Sequence, residues 1–317
     1  MRLNLHRLFA SALLCAVLAP AAQTFGQHAS AKGRARAASS VGARGDAPVE
    51  QRVRRLHALL EEQWQYRLRT SPEFASVIGD KRYNDRLSDF SQAAIDADNR
   101  QAALFLREFE AVGVEGFPEQ ERLNRDLMVR DLREQVEGVR FKDWEMPVTQ
   151  FSGVHIQAPQ LVSVLSFSTV KDYDDYAARL RQVPRLLDQT AEQMRKGVRD
   201  HLAPPRILLT QVASQAEKIA KQKPEDSPFA EPLKKFPDAI SAAERKRLTD
   251  EILSAVRGQV LPAYAKFFAF VRDEYAPRGR ADIGLWALPE GAERYRRAIR
   301  QLTTTDMVPE EIHQLGL

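Results

Sequence analysis

Residues 171–197 read KDYDDYAARLRQVPRLLDQTAEQMRKG, and their pattern decides the fold class. Large apolar side chains recur every three or four residues, and this spacing puts them on one face of a helix. They are Tyr173, Tyr176, Leu180 and Val183, followed by Leu186, Leu187 and Met194. Pro184 lacks the amide hydrogen that a helix interior needs, so it must kink this helix or begin a new one. The stretch therefore predicts helix on both sides of a proline.

The same period extends over most of the chain from Gln51 onward. A long helix is predicted from a cap at Ser241, with Glu244 completing a capping box, to Tyr275 with a kink at Pro262. Residues 141–167 are the exception, because prolines and a glycine interrupt them. There we expect a short strand or an extended buried loop, with a helix from Pro159. The predicted fold is all-α, an array of many kinked helices.

The first fifty residues have a different composition. Residues 1–21 combine a basic start, a short apolar run and a small-x-small site, which is the pattern of a secretory signal peptide. The apolar run is too short to span a bilayer, so no stable membrane span is expected after cleavage. Residues 22–50, rich in Ala, Gly and Arg, predict a disordered linker. Residues 51–317 form the predicted helical domain of an exported protein, periplasmic or extracellular.

Charge and cysteine content argue against two classes of function. The formal net charge is +4, but the first fifty residues supply all of it, so the predicted domain is neutral. A nucleic-acid-binding domain carries a clustered basic surface, so no nucleic-acid partner is expected. The single cysteine, Cys15, lies in the predicted signal peptide. The exported form would then have neither a thiolate nucleophile nor a cysteine metal ligand.

The sequence contains no local catalytic motif. HExxH, which places two zinc-binding histidines on one helix face, is absent, as are GxSxG, the P-loop and GxGxxG. We therefore assign no catalytic residue, no metal ligand and no cofactor to this chain. Aromatic residues dominate protein cores, so the tryptophans are interpreted as core residues. They are Trp64, Trp144 and Trp286.

His155 is the one histidine in the irregular segment 141–167, and it lies close to Gln150. Buried polar groups usually find partners, so we interpret His155 first as a structural residue that holds this loop together. The alternative is that Gln150 and His155 contact a substrate. These two residues are the candidate substrate-binding residues of the sequence.

The most distinctive motifs lie near the end of the chain. They are LPEG at 288–291, Tyr295, the threonine pair 303–304 and PEEIH at 309–313. Together with TVKDY at 169–173 and LPAY at 261–264, they resemble the bacterial domain-of-unknown-function family 885. The resemblance implies an exported, largely helical, zincin-like protein with a deep substrate cleft, related to helical metallopeptidases. In that family the zinc motif lies in the second half, and no position here matches it, so zinc is expected only in a complete family member.

Two interpretations of function stay open. In the first, the chain is the truncated, N-terminal half of a zinc-metallopeptidase-like protein, forms one wall of its cleft and is inactive alone. Its partners would be a peptide-like substrate or a separately encoded C-terminal half. In the second, it is a stand-alone, non-catalytic exported binding or scaffold protein. The predicted helix at Pro309, with apolar Ile312 and Leu315, favours the first because so short a helix needs a partner surface.

Overall fold

A computed structural model describes residues 47–317, and the prediction of an all-α fold is confirmed for them. The predicted signal peptide and residues 22–46 of the predicted linker lie outside the described residues. The α-helices of this region are α1 Val49–Thr70, α2 Pro72–Val77, α3 Gln92–Ala111, α4 Glu119–Gly138, α5 Val154–Gln160, α6 Val170–Leu180, α7 Val183–Arg199, α8 Arg206–Ala220, α9 Ala242–Ala255, α10 Leu261–Phe270, α11 Gly291–Thr303 and α12 Pro309–Gly316. An isolated bridge between Pro205 and Arg280 is the one β pairing in residues 47–317.

The proline in the opening stretch begins a new helix. α6 starts at a capping box, in which Asp172 accepts the backbone N–H of Thr169 at 2.9 Å and the Thr169 hydroxyl accepts the N–H of Asp172. It ends at Leu180, and Pro184 lies in the first turn of α7. The first turn of a helix leaves its N–H groups without intrahelical acceptors, so proline is tolerated there.

The predicted helix from Ser241 to Tyr275 is present as one helical run with two π-turns, Val256–Val260 and Val271–Tyr275. Pro262 follows the first π-turn at the start of α10. A π-turn changes the hydrogen-bond register of a helix. The first π-turn therefore occurs just before Pro262, which has no backbone N–H to donate to the preceding turn. Among the helices of residues 47–317, none combines the length and the hydropathy of a membrane span.

The expectation for residues 141–167 was partly wrong. No strand forms there, and helix α5 begins at Val154 rather than at Pro159, which lies inside it. Gly153 precedes α5 with a φ of 126°, a conformation that residues with a Cβ rarely adopt. The glycine therefore lets the chain turn into helix five residues earlier than the proline suggested.

Two apolar clusters form the core. The smaller one joins α1, α3 and α4 through residues that include Leu56, Phe105, Phe109 and Leu132. The larger one joins α6 to α10 and includes the fully buried Tyr173 and Tyr264. Burying such side chains supplies most of the stability of a helical array, because short helices are marginal in water.

A polar stripe on α6 and α7 hydrogen-bonds the backbone of residues 83–90, which we call the bridging loop. The stripe consists of Arg179, Gln182, Arg185, Gln189 and Gln193, spaced three or four residues apart. Arg179 is buried, and its guanidinium donates to the carbonyls of Arg86 at 2.7 Å and Tyr83 at 2.9 Å. The stripe thus satisfies the backbone of a segment that lies outside the α-helices.

Replacing Arg179 by methionine tests this role. Arg179→Met keeps the bulk of the side chain but leaves the carbonyls of Tyr83 and Arg86 without their donor. We expect the free energy of unfolding to fall by about 3 kcal/mol, measured by urea denaturation. Arg181→Met is the matched control, because Arg181 is exposed and its loss should cost less than about 1 kcal/mol. Equal losses in the two variants would contradict the role assigned to the stripe.

Candidate functional site

Two cavities border the side chain of Trp144. The first has a volume of about 420 Å³, and we call it the charged cavity because Lys142, Glu145, Lys196, Arg199 and Asp200 border it. The second has a volume of about 230 Å³, and we call it the apolar cavity. Its apolar walls include Phe90, Ile95, Pro147 and Val154, and its polar members are Ser152, Gln157, Thr190 and Gln193. A concave, mostly apolar site with a few polar groups is the usual form of a ligand pocket.

A glycine on α7 allows the Trp144 segment to lie against that helix. A Cβ on Gly197 would stand 2.4 Å from the carbonyl oxygen of Glu145 and 2.6 Å from that of Leu202. These distances are far below van der Waals contact, so only glycine permits this approach. The turn Asp143–Glu145 is reached through Lys142, whose φ of 50° is left-handed.

Helix α11 supports the same turn from the other side. The buried Arg294 donates to Asp143 Oδ1 at 2.7 Å and to the carbonyl of Phe141. Arg297, one turn later on α11, pairs with Asp143 Oδ2 at 3.0 Å. Guanidinium groups hold a carboxylate in a defined orientation, so these bonds fix the turn that carries Trp144.

The carboxyl groups of the charged cavity differ in protonation. Burial raises the pKa of Glu145, which is 4% exposed, and the nearby charge of Asp200 adds to the effect. The hydrogen bond from Lys142 lowers the pKa of Asp200. Glu145 therefore holds its proton to higher pH than an ordinary glutamate, whereas Asp200 stays ionised to lower pH than an ordinary aspartate.

Two buried polar atoms beside the apolar cavity have no partner among the described residues. They are the Trp144 indole nitrogen Nε1, a donor, and Gln193 Oε1, an acceptor. The amide nitrogen of Gln193 is already used, because it donates to the carbonyl of Phe90 at 3.1 Å. An unpaired buried donor or acceptor costs roughly 1–3 kcal/mol, so such atoms mark a place where a water or a ligand group fits.

The structure links the two predicted substrate-binding residues through a third residue. His155 is buried, and its Nε2 lies 3.1 Å from Gln215 Oε1, while Gln215 Nε2 donates to the backbone carbonyl of Gln150 at 3.0 Å. Burial lowers the pKa of His155, so the ring is neutral. Neither His155 nor Gln150 borders the two cavities. Their contact with a substrate stays a prediction. The hydrogen bonds that join His155 to Gln150 through Gln215 are those expected of a structural histidine that holds this loop.

Sequence reasoning did not single out the residues around Trp144. The pattern predicts Trp144 to be a core residue, but it borders both cavities. The same interpretation is wrong for Trp286, whose side chain is 77% exposed. The sequence does contain one signal for this site. Trp144 is followed directly by Glu145, in the segment 141–167 that prolines and a glycine interrupt.

Within residues 47–317, no group of three His, Cys, Asp or Glu side chains converges as a metal site would require. Zinc sites in proteins use at least three protein ligands. The donor set of the described residues therefore does not fit the zinc that the family resemblance implies, and no chemical step of this chain is derived through zinc.

Comparisons with known proteins now bear on this geometry. A family model described as "Bacterial protein of unknown function (DUF885)" matches residues 72–317. Among solved structures, a putative lipoprotein from Colwellia psychrerythraea is similar to this chain, with a TM-score of 0.77 and 19% identity. The match covers 84% of this chain and 48% of that one, so this chain spans about half the length of that protein. At this identity the likeness shows the fold alone. A search of the curated proteins gives no match.

Gly197→Ala tests the close approach of the Trp144 turn to α7. The added methyl group would collide with the backbone of Glu145 and Leu202, so the turn must move. We expect a loss of about 1–3 kcal/mol in the free energy of unfolding, with a change in Trp144 fluorescence. Gly258→Ala is the control, because a Cβ there meets no atom within 4 Å. A stable Gly197→Ala variant with unchanged fluorescence would contradict the packing described.

Glu145→Gln tests the protonation of the charged cavity. Because the folded protein raises the pKa of Glu145, the stability from its neutral form is complete below the ordinary value of 4.5 and is lost as the pH rises through the folded pKa. Glutamine stays neutral, so the variant should gain stability relative to the wild type as the pH rises from about 4 to about 8. Urea denaturation across this range measures the difference. A difference that does not change with pH would contradict the raised pKa.

Proposed function

Because this chain belongs to the DUF885 family of bacterial proteins, we propose that it forms the N-terminal half, one cleft wall, of an exported zinc-metallopeptidase-like protein. A complementary half would carry the zinc ligands and the opposite wall, and the substrate would be peptide-like. Without that half the chain is inactive. The likeness to a structure about twice as long supports the proposal, as does the resemblance of its motifs to those of the family.

The observation that carries the proposal is an exposed apolar surface in the C-terminal region, which we call the docking surface. It consists of Ile283, Trp286, Tyr295 and Leu302, of which Ile283 is 75%, Trp286 77% and Leu302 83% exposed. Tyr295 and Leu302 are seven residues apart on α11, so they share one face of that helix. Large exposed apolar side chains concentrated in one stretch of chain, here residues 283–302, are typical of a protein–protein contact.

The opposite face of α11 is held firmly, so the docking surface has a rigid base. Arg300 donates to Glu134 Oε1 at 2.8 Å and to Glu137 Oε2 at 2.7 Å, next to the contacts that Arg294 and Arg297 make with Asp143. A partner that covers Tyr295 and Leu302 would therefore bind a preorganised helix and lose little entropy in ordering it. The same helix supports the turn that carries Trp144.

The occupant that we propose for the docking surface is the complementary half. The solved neighbour has as much chain again beyond the matched part, and a second half of that size would supply a surface to cover these side chains. α12, in the same region, has no buried residue of its own, and its Leu315 is 76% exposed. Such a helix needs a partner to be stable.

Export of this chain is supported by two observations. The first is the signal-peptide pattern of residues 1–21. The second is the likeness to the solved protein from Colwellia psychrerythraea, which is named a putative lipoprotein. Lipoproteins are exported, so this likeness is consistent with the sequence pattern.

The DNA next to the coding sequence tests the proposal first. We expect an open reading frame after codon 317, in the same or a shifted frame, that encodes an HExxH motif. The purified chain alone should show no chelator-sensitive peptidase activity, and addition of the encoded half should restore it. Stoichiometric zinc with chelator-sensitive activity in the chain alone would contradict the proposal. The absence of such a frame would also contradict it, in favour of a non-catalytic binding or scaffold protein.

Variants of the docking surface test the proposed contact. Trp286→Asp combined with Leu302→Asp places two charges where apolar side chains should be covered, so binding of the complementary half should weaken more than about tenfold. Leu104→Asp is the control, since Leu104 is an apolar residue of α3 that is 49% exposed and lies outside the docking surface. Size-exclusion chromatography with light scattering measures the complex. Equal binding by both variants would contradict this surface, and a homodimer of the wild-type chain would assign it to a second copy.

A further inference from the structure

The charged cavity and the apolar cavity, with the side chain of Trp144 that borders both, are together called the Trp144 site. This site offers a hydrogen-bond pattern that fits a peptide. The unpaired Trp144 Nε1–H is a donor and the unpaired Gln193 Oε1 is an acceptor, and both residues border the apolar cavity. A peptide group has one carbonyl acceptor and one N–H donor, which are the two kinds of partner that these atoms lack. Gln193 is 2% exposed and is one of the residues that line the cavity, so its unpaired oxygen is withdrawn from bulk water.

The apolar cavity suits the side chain of such a peptide. Phe90, Ile95, Pro147 and Val154 give it walls without charge, and its volume of about 230 Å³ exceeds that of several waters. Ser152, Gln157 and Thr190 also line the cavity, so its lining is neutral rather than purely apolar. An aliphatic side chain that displaces water from the apolar walls gains free energy. The cavity therefore favours a leucine-sized residue over a charged one.

The charged cavity, which Trp144 also borders, is lined by three basic residues and by the acidic residues Asp96, Glu145 and Asp200. Lys142 forms an ion pair with Asp200, and Asp96 accepts a hydrogen bond from Gln92. The other two basic residues of the cavity, Lys196 and Arg199, have no carboxylate partner among residues 47–317. Lys196 and Arg199 are three residues apart on α7, so they project from one face. Lys196 donates one hydrogen bond, to Gln92 Oε1 at 2.9 Å, and has two hydrogens left.

We propose that the Trp144 site binds the C-terminal residue of a peptide. The side chain of that residue occupies the apolar cavity, and its peptide group bonds Trp144 and Gln193. Its free carboxylate lies in the charged cavity against Lys196 and Arg199. This inference deepens the proposed function by naming the substrate class as peptides with an apolar C-terminal residue, and it assigns the recognition of the carboxylate to this half of the protein.

Binding by the full chain alone tests the site. The probes are N-acetyl-alanyl-leucine with a free carboxylate, the same compound as the C-terminal amide, and inorganic phosphate. The chain has three tryptophans, so its ¹⁵N-indole NMR spectrum is simple, and the Trp144 signal is identified from Trp144→Phe. We expect the free acid to shift the Trp144 signal and to bind at least about tenfold more tightly than the amide, because only the acid carries the charge that Lys196 and Arg199 attract.

Two variants on α7 separate carboxylate recognition from folding. Arg199→Gln should weaken binding of the free acid at least about tenfold and leave binding of the amide unchanged. Arg195→Gln is the matched control, because Arg195 lies on the same helix but borders neither cavity. This variant should bind the free acid and the amide as tightly as the wild type does.

Three outcomes would overturn the inference. They are an unmoved Trp144 signal at millimolar free acid, equal binding of acid and amide, and binding of phosphate as tight as that of the peptide acid. The last would identify a simple anion site. None of them depends on the complementary half, so failure here is distinguishable from failure of the proposed function.

Discussion

The buried guanidinium of Arg179 is the interaction on which the rest of the structure depends. It hydrogen-bonds two carbonyls of the bridging loop and the hydroxyl of Ser76, and this last bond reaches α2 at 3.0 Å. The bridging loop lies in sequence between helices of the smaller apolar cluster, whereas Arg179 belongs to α6 of the larger one. Burial lowers the pKa of Arg179, which shows that its charge is costly in this place. Hydrogen bonds to backbone oxygens offset that cost and join the two clusters.

The same polar stripe ends at the Trp144 site. Gln193, its last member, donates to the carbonyl of Phe90 and leaves its oxygen free beside the apolar cavity. Phe90 itself forms part of the wall of that cavity. The position of the wall is therefore set by the hydrogen bonds that hold the bridging loop. Arg179, which holds the bridging loop, and Gln193, which borders the proposed peptide site, therefore belong to the same polar stripe across α6 and α7.

Helical periodicity was enough to predict the fold class, because it depends on residues three or four apart, as in Tyr173 and Tyr176. The cavities could not be predicted in this way. Trp144 and Gln193 are close only because Gly197 admits the backbone of Glu145 against α7, and a glycine near a helix end reads in sequence as a simple stop. Trp286 shows the converse error. An aromatic residue indicates burial, but sequence alone does not say whether the burial occurs within one chain or against a partner.

Helix α11 connects the proposed docking surface on one face with the support of the Trp144 turn on the other. Hydrogen–deuterium exchange of the chain with and without the proposed complementary half tests this claim most directly. We predict slower exchange at residues 283–303, from direct cover, and at residues 141–146, because Arg294 ties that segment to α11. Unchanged exchange in both segments on formation of a complex, or protection confined to α1 and α3, would contradict the claim.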